Sequence, residues 1–161
     1  MIFEKDVVWR TGGEGNILFT EMVDIIKKHV KFGSKVFIGT DSFVRNKKVT
    51  FATAVCLSGK ELPNRYFFFR IKESHPKHCK LSMRIIKEAQ RTVELAEHLM
   101  GNYSISSDQI ELHLDVSAPE MNNATSKFSD MLRGYVTSYG LECKIKPNAW
   151  ASQTVADRHS K

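Results

Sequence analysis

Cysteine is scarce in this chain of 161 residues: Cys56, Cys79 and Cys143 are odd in number and widely scattered. That excludes a disulfide framework and fits reduced thiols in a cytoplasmic protein. No apolar run approaches the roughly 20 residues of a membrane-spanning helix. The opening Met1-Ile2-Phe3-Glu4-Lys5-Asp6 lacks the apolar stretch of a secretory signal. Low-complexity tracts, internal repeats and linker-like segments are missing too, so residues 1–161 read as one domain with an N-terminal arm and helix over about 1–33. Acid is also in short supply. Against 24 Lys and Arg stand 18 Asp and Glu, a net charge of +6 and a pI near 9.3. Such a balance suits a polyanionic partner such as nucleic acid, although many basic proteins bind none.

What is present is globular: 42% apolar and 26% charged residues, enough to bury a core at this length. The segment to about Asn16 is polar, with an arm or edge strand around Val7-Val8-Trp9. Thr20 is placed to cap a helix in which Met22, Val23, Ile26 and Val30 recur at helical spacing and Gly33 is the stop. Three β-like runs follow at about 35–41, 49–57 and 65–72, the first two joined by the basic turn Arg45-Asn46-Lys47-Lys48. The third carries Tyr66-Phe67-Phe68-Phe69 and calls for cover on both faces. A helix is predicted over about Lys80–Met100, a fourth strand over 109–116, and a helix from Asn123 or Thr125 to Tyr139. A fifth strand from Leu141 to Lys146 stops at Pro147, and a short helix starts near Ser152. After the leading helix the order is β-β-β-α-β-α-β-α. It implies a mixed five-stranded α/β sheet: the first three strands antiparallel, the fourth and fifth parallel to the first, helices on both faces and a right-handed crossover.

The few acids fall at telling places. Asp41 ends Val36-Phe37-Ile38-Gly39-Thr40-Asp41 and Asp115 ends Ile110-Glu111-Leu112-His113-Leu114-Asp115. Each alone is most simply a turn or cap residue. Gly39 shares a face with Asp41 and leaves room beside it. If the first and fourth strands are parallel neighbours, the two acids meet at the sheet end where open α/β sheets bind ligands. Two carboxylates so close repel, and a bound cation removes the conflict. At about 100° per residue, Glu88 falls on the apolar half of the long helix, with Lys87, Gln90, Arg91, Glu94, Glu97 and His98 on the other half. Periodicity leaves two readings of Glu88: a stripe-edge residue reaching water, or a carboxylate aimed at the strand ends. Asp157, in Ala-Asp-Arg-His-Ser-Lys, reads by itself as solvated surface.

With Ile38-Gly39-Thr40-Asp41-Ser42, His113-Leu114-Asp115, and Lys144-Ile145-Lys146-Pro147 ahead of Val155-Ala156-Asp157-Arg158 and the final Ser160-Lys161, the chain resembles the RNase H-like superfamily and, within it, the YkuK-type family. It departs from that pattern at Phe43, Val116-Ser117 and Asn148. The resemblance implies a metal-dependent nuclease with Asp41, Glu88, Asp115 and Asp157 as catalytic acids and metal ligands. Two Mg²⁺ or Mn²⁺ ions would lie about 4 Å apart. Asp41 would bridge them, Glu88 and Asp115 would hold one, and Asp157 the other. Arg45, Lys47, Lys48, Lys144, Lys146, Arg158 and Lys161 would hold the RNA, DNA or hybrid backbone. The competing reading is a non-catalytic nucleic-acid-binding or assembly module on the same fold. Other chemistries fare worse. His75, His78 and Cys79 lack a fourth zinc ligand, and Ser42 lacks a Gly-x-Ser-x-Gly elbow. An actin-like ATPase needs a second lobe, and Met83, Met100 and Met131 read as core filler.

Overall fold

The computed structural model describes residues 2–13, 15–74 and 80–161. Three long strands, β3 (Lys35–Arg45), β4 (Lys48–Ser58) and β5 (Arg65–Glu73), form an antiparallel meander. Beside β3 lies β6 (Ile110–Leu114), parallel to it, and β7 (Glu142–Lys144) runs parallel to β6. These five strands pair as the sequence implies. Two more short strands, β1 (Trp9–Thr11) and β2 (Asn16–Ile17), extend the far edge, so the sheet has seven strands in the order β2-β1-β5-β4-β3-β6-β7. The expectation of five strands is thereby corrected. The edge strand read around Val7-Val8-Trp9 is β1, shifted to Trp9–Thr11, whereas β2 has two residues and leaves no alternation to detect. Yet β1 covers the aromatic strand β5: the buried Trp9 ring lies 4.7 Å from that of Phe69 and its indole N–H donates to Phe3 O at 2.7 Å.

The meander outruns its predicted ends because the turn is tight. Asn46 and Lys47 take φ of 53° and 61°, the two-residue hairpin conformation that matches strand twist. It keeps Arg45 opposite Lys48 and carries β3 four residues past Asp41. The fifth predicted strand is shorter than read: Lys146 lies beyond β7 and its N–H donates to Val116 O at 3.0 Å.

Alternate residues of the sheet face two cores. One is the large apolar cluster beneath α2 (Phe19–Lys31), α3 (Leu81–Tyr103) and α4 (Ser129–Thr137), filled from the sheet by Val36, Ile38, Val55, Leu57, Phe67 and Phe69. The other is smaller: Ala54, Cys56 and Phe68 meet Ala151 and Ala156 of a π-helical segment, Ala151–Ala156, that runs on into α5 (Asp157–Ser160). The polar half assigned to α3 is only partly polar in its surroundings. Arg91 is 5% exposed and pairs with Glu73 at 3.7 Å. His98 is buried beside Phe3 and Phe19, with Nε2 2.8 Å from Glu4 Oε1, because the N-terminal helix α1 (Ile2–Lys5) and the start of α2 cover that side. Met83 and Met131, expected in the core, are 40% and 54% exposed; Met100 does pack against it.

Gly39 fixes the distance between the sheet and the C-terminal segment. A Cβ placed there would lie 2.5 Å from Ser152 N and 2.8 Å from Ala151 C, both backbone atoms that cannot swing away. Gly39→Ala therefore forces the segment bearing Asp157 off the sheet. The expected result is a loss on the order of 1–3 kcal/mol, the usual cost of overpacking, seen as a lower thermal midpoint. An unchanged midpoint would show that the two backbones do not need this approach.

Candidate active site

The pairing of β3 with β6 brings the first two acids together. Thr40 sits opposite Leu114, so the next residues in parallel register are Asp41 and Asp115, on adjacent strands about 4.8 Å apart. Asp41 faces the C-terminal segment, sharing its side of the sheet with Gly39. It is 6% exposed, and its Oδ2 accepts a hydrogen bond from Ser160 Oγ at 2.8 Å. Ser160 is in α5, three residues after Asp157, whose carbonyl lies 3.1 Å from the same hydroxyl.

Glu88 approaches over the opposite face. Its Oε1 accepts from Ser42 Oγ at 2.5 Å, and it is 8% exposed. A buried chain of hydroxyls fixes its helix to the sheet: Thr92 Oγ1 lies 2.8 Å from Glu88 O and 2.9 Å from Thr40 Oγ1, which lies 3.0 Å from Thr53 Oγ1. Glu88 is thus a buried carboxylate at the strand ends and not a stripe-edge residue in water.

The C-terminal segment is clamped at both ends. His113 Nδ1 accepts the Ala151 N–H at 3.0 Å, which leaves the proton on Nε2, 2.8 Å from Glu111 Oε1. Burial pushes this imidazole below its ordinary pKa, in keeping with the neutral tautomer that the Ala151 hydrogen bond selects. The Trp150 ring packs on Phe37 at 4.8 Å. At the far end the His159 ring stacks on Phe68 at 3.6 Å, with Nε2 3.0 Å from Tyr66 Oη. Asp157 is held between these anchors.

Asp41 and Glu88 both feel the neighbouring acids. Burial is the main force raising Asp41, to about 8, followed by contact with and repulsion from Asp115; Asp157 adds repulsion and the Ser160 hydrogen bond opposes it. Burial also holds Glu88 well above the usual carboxylate range, reinforced by Asp41 and Asp115 and countered by Ser42 and Arg84. Two lysines already sit on the acids. Lys146 Nζ is 2.9 Å from Asp115 Oδ1, an ionic contact without hydrogen-bond alignment, and Lys161 Nζ is 3.0 Å from the Asp157 carboxylate.

Among the described residues, no three His, Cys, Asp or Glu side chains converge closely enough to enclose a metal ion as they stand. The donor set nevertheless fits a hard divalent cation: all four groups are carboxylates, and two of them already hold ammonium groups as counter-charges. The other basic residues divide. Lys144 lies 3.8 Å from Glu142, itself paired with Lys35, at the β7 edge. Arg158 is exposed on α5, Lys47 is exposed in the hairpin turn, and Arg45 and Lys48 flank a groove that also takes in Lys161. The His75, His78 and Cys79 segment lies outside the described residues.

Sequence reasoning assigned no role to Ser160, Ser42 as a carboxylate donor, Thr92, or the cations Arg70 and Lys72. The residues after Asp157 carried the signal for Ser160, one helical turn from an acid. Arg70 is reached only through register, as Asp41 pairs with Ala52 and Ala52 with Arg70.

No curated protein and no solved structure matches the chain significantly. No helix among the described residues is long and apolar enough to cross a membrane. The ribonuclease H-like family model matches residues 18–161, from the end of the N-terminal arm to the last lysine, a span that includes all four acids and every strand except β1 and β2. The chain belongs to the ribonuclease H-like family.

Proposed function

We propose that the protein is a divalent-metal-dependent nuclease that hydrolyses phosphodiester bonds of nucleic acid. The supporting observation is the buried Asp41 beside the partly exposed Asp115 at the end of parallel strands, with Glu88 and Asp157 in electrostatic reach. Anions gathered this closely are unfavourable unless a cation joins them. Asp41, central to the group, would bridge two Mg²⁺ or Mn²⁺ ions; Glu88 and Asp115 would hold one and Asp157 the other. Bound ions of this kind supply an activated water and stabilise the departing oxygen.

The chain's own residues prepare that state. Ser160 and Ser42 aim the Asp41 and Glu88 carboxylates by hydrogen bonds from opposite faces. Lys146 and Lys161 neutralise Asp115 and Asp157, and both are partly exposed and free to turn toward a substrate phosphate. Arg45 and Lys48 hold the phosphodiester backbone at the hairpin.

Turnover of a labelled oligonucleotide should vanish in EDTA and fall at least about 100-fold in Asp41→Asn, while nucleic-acid binding persists. Cleavage undiminished in both would contradict the mechanism. Binding with no cleavage under any divalent cation would instead identify a non-catalytic module.

The pH dependence has a definite sign. Asp41 holds its proton to about pH 8 in the fold but titrates near 3.8 when unfolded. A raised carboxyl favours the fold at low pH, and that contribution is lost as pH climbs from about 4 through about 8. Glu88 acts in the same direction. The metal-free thermal midpoint should therefore carry a descending component across this range, smaller in Asp41→Asn. Mn²⁺ should raise the midpoint more at the alkaline end than at the acid end. A Mn²⁺ effect independent of pH would separate the acids from metal binding.

A further inference from the structure

The open part of the sheet face that bears Asp41 carries a second arrangement. Residues two apart on a strand share a face, and the register extends that face across the meander. Asp41 pairs with Ala52 and Ala52 with Arg70; Phe43 pairs with Thr50 and Thr50 with Lys72; Arg45 pairs with Lys48. The C-terminal segment covers the row of Gly39, Ala54 and Phe68 and ends at Ser160 over Asp41, so the rows beyond it are bare. There they form a groove of about 340 Å³ lined by Phe43, Arg45, Lys48, Arg70, Lys72 and Lys161, among others, with no acidic side chain among the described residues that line it. Arg70 and Lys72 also line an adjoining hollow that reaches Arg10 on β1, with Asp6 as its one acid among the described residues.

We infer that this groove is a track for an unpaired nucleic-acid strand, delivering it to the acid cluster. The inference rests on the nuclease reading for what happens at the track's end, and on the groove for what enters it. Arg45, Lys48, Arg70 and Lys72 around one hollow, with Lys161 seated on Asp157 at its rim, repel each other and call for a polyanion. From β3 to β1 the face spans three strand spacings, roughly 14 Å. That is the reach of roughly four phosphates at the per-strand spacing of a duplex, fewer when extended.

Phe43 decides between paired and unpaired strands. Its ring is 37% exposed in the groove, among cations, where it can contribute nothing to holding phosphates. An aromatic face in a basic groove binds bases by stacking, and does so without sequence preference. Bases in a duplex are stacked on one another and offer only their edges. Ser160 joins the two sites: it lines the groove and donates to Asp41.

The test is fluorescence anisotropy with one oligonucleotide, presented as a single strand and as a blunt duplex, in EDTA so that nothing is cut. The single strand should bind at least about tenfold tighter. Phe43→Ala should weaken single-strand binding roughly 5- to 100-fold, the loss of one base–aromatic stack, without changing the salt dependence. Arg70→Gln and Lys72→Gln should each lower the salt slope by about one. Thermal unfolding of each variant checks that it folds. Equal or tighter duplex binding, no effect of Phe43→Ala, or equally effective competition by polyglutamate would overturn the track. Cleavage assayed separately with Mn²⁺ keeps the two readings apart: strand-selective binding without cleavage refutes the nuclease and leaves the track, and cleavage with duplex-selective binding does the reverse.

Discussion

A carboxylate buried beside another carboxylate is the constraint around which this fold is arranged. Parallel pairing of β3 and β6 sets Asp41 next to Asp115, and burial leaves Asp41 without water to disperse its charge. Every neighbouring feature bears on that problem. Ser160 offers a hydrogen bond, Lys146 and Lys161 offer positive charge at the periphery, and Asp41 answers by holding a proton. Acids from β3, α3, the end of β6 and α5 thereby act on one another electrostatically.

The geometry depends on close backbone approach as much as on charge. Gly39 lets the C-terminal segment lie against the sheet, His113 binds the start of that segment, and His159 binds its end. On the opposite face the Thr40, Thr53 and Thr92 hydroxyls fix α3 at the height that carries Glu88 to the strand ends. The acids therefore approach from both faces of one sheet, each on an element held by packing, an arrangement suited to a preorganised site.

Much of the five-strand pairing was legible because it follows from patterning: alternating and continuous apolar runs, one tight basic turn, and a long helix that forces a parallel crossover. Gly39 was legible as room beside Asp41, and the wheel placed Glu88 among apolar residues. What escaped came from tertiary cover. Nothing in the spacing of Arg91 and His98 reveals that β5 and the N-terminal arm enclose them, and β2 is too short to have a period. Met131 lies on an exposed side of α4 although its side chain is apolar. The basic groove depends on strand register, which no single segment encodes; Arg70 sits among aromatics in sequence yet stands in the row of Asp41 in space.

Anomalous diffraction from crystals soaked in Mn²⁺ at alkaline pH tests the central claim most directly. The account predicts two peaks bounded by the Asp41, Glu88, Asp115 and Asp157 carboxylates, with the Lys146 and Lys161 ammonium groups moved away from their present partners. Crystals with no peak there, and both lysines still seated on their acids, would contradict it.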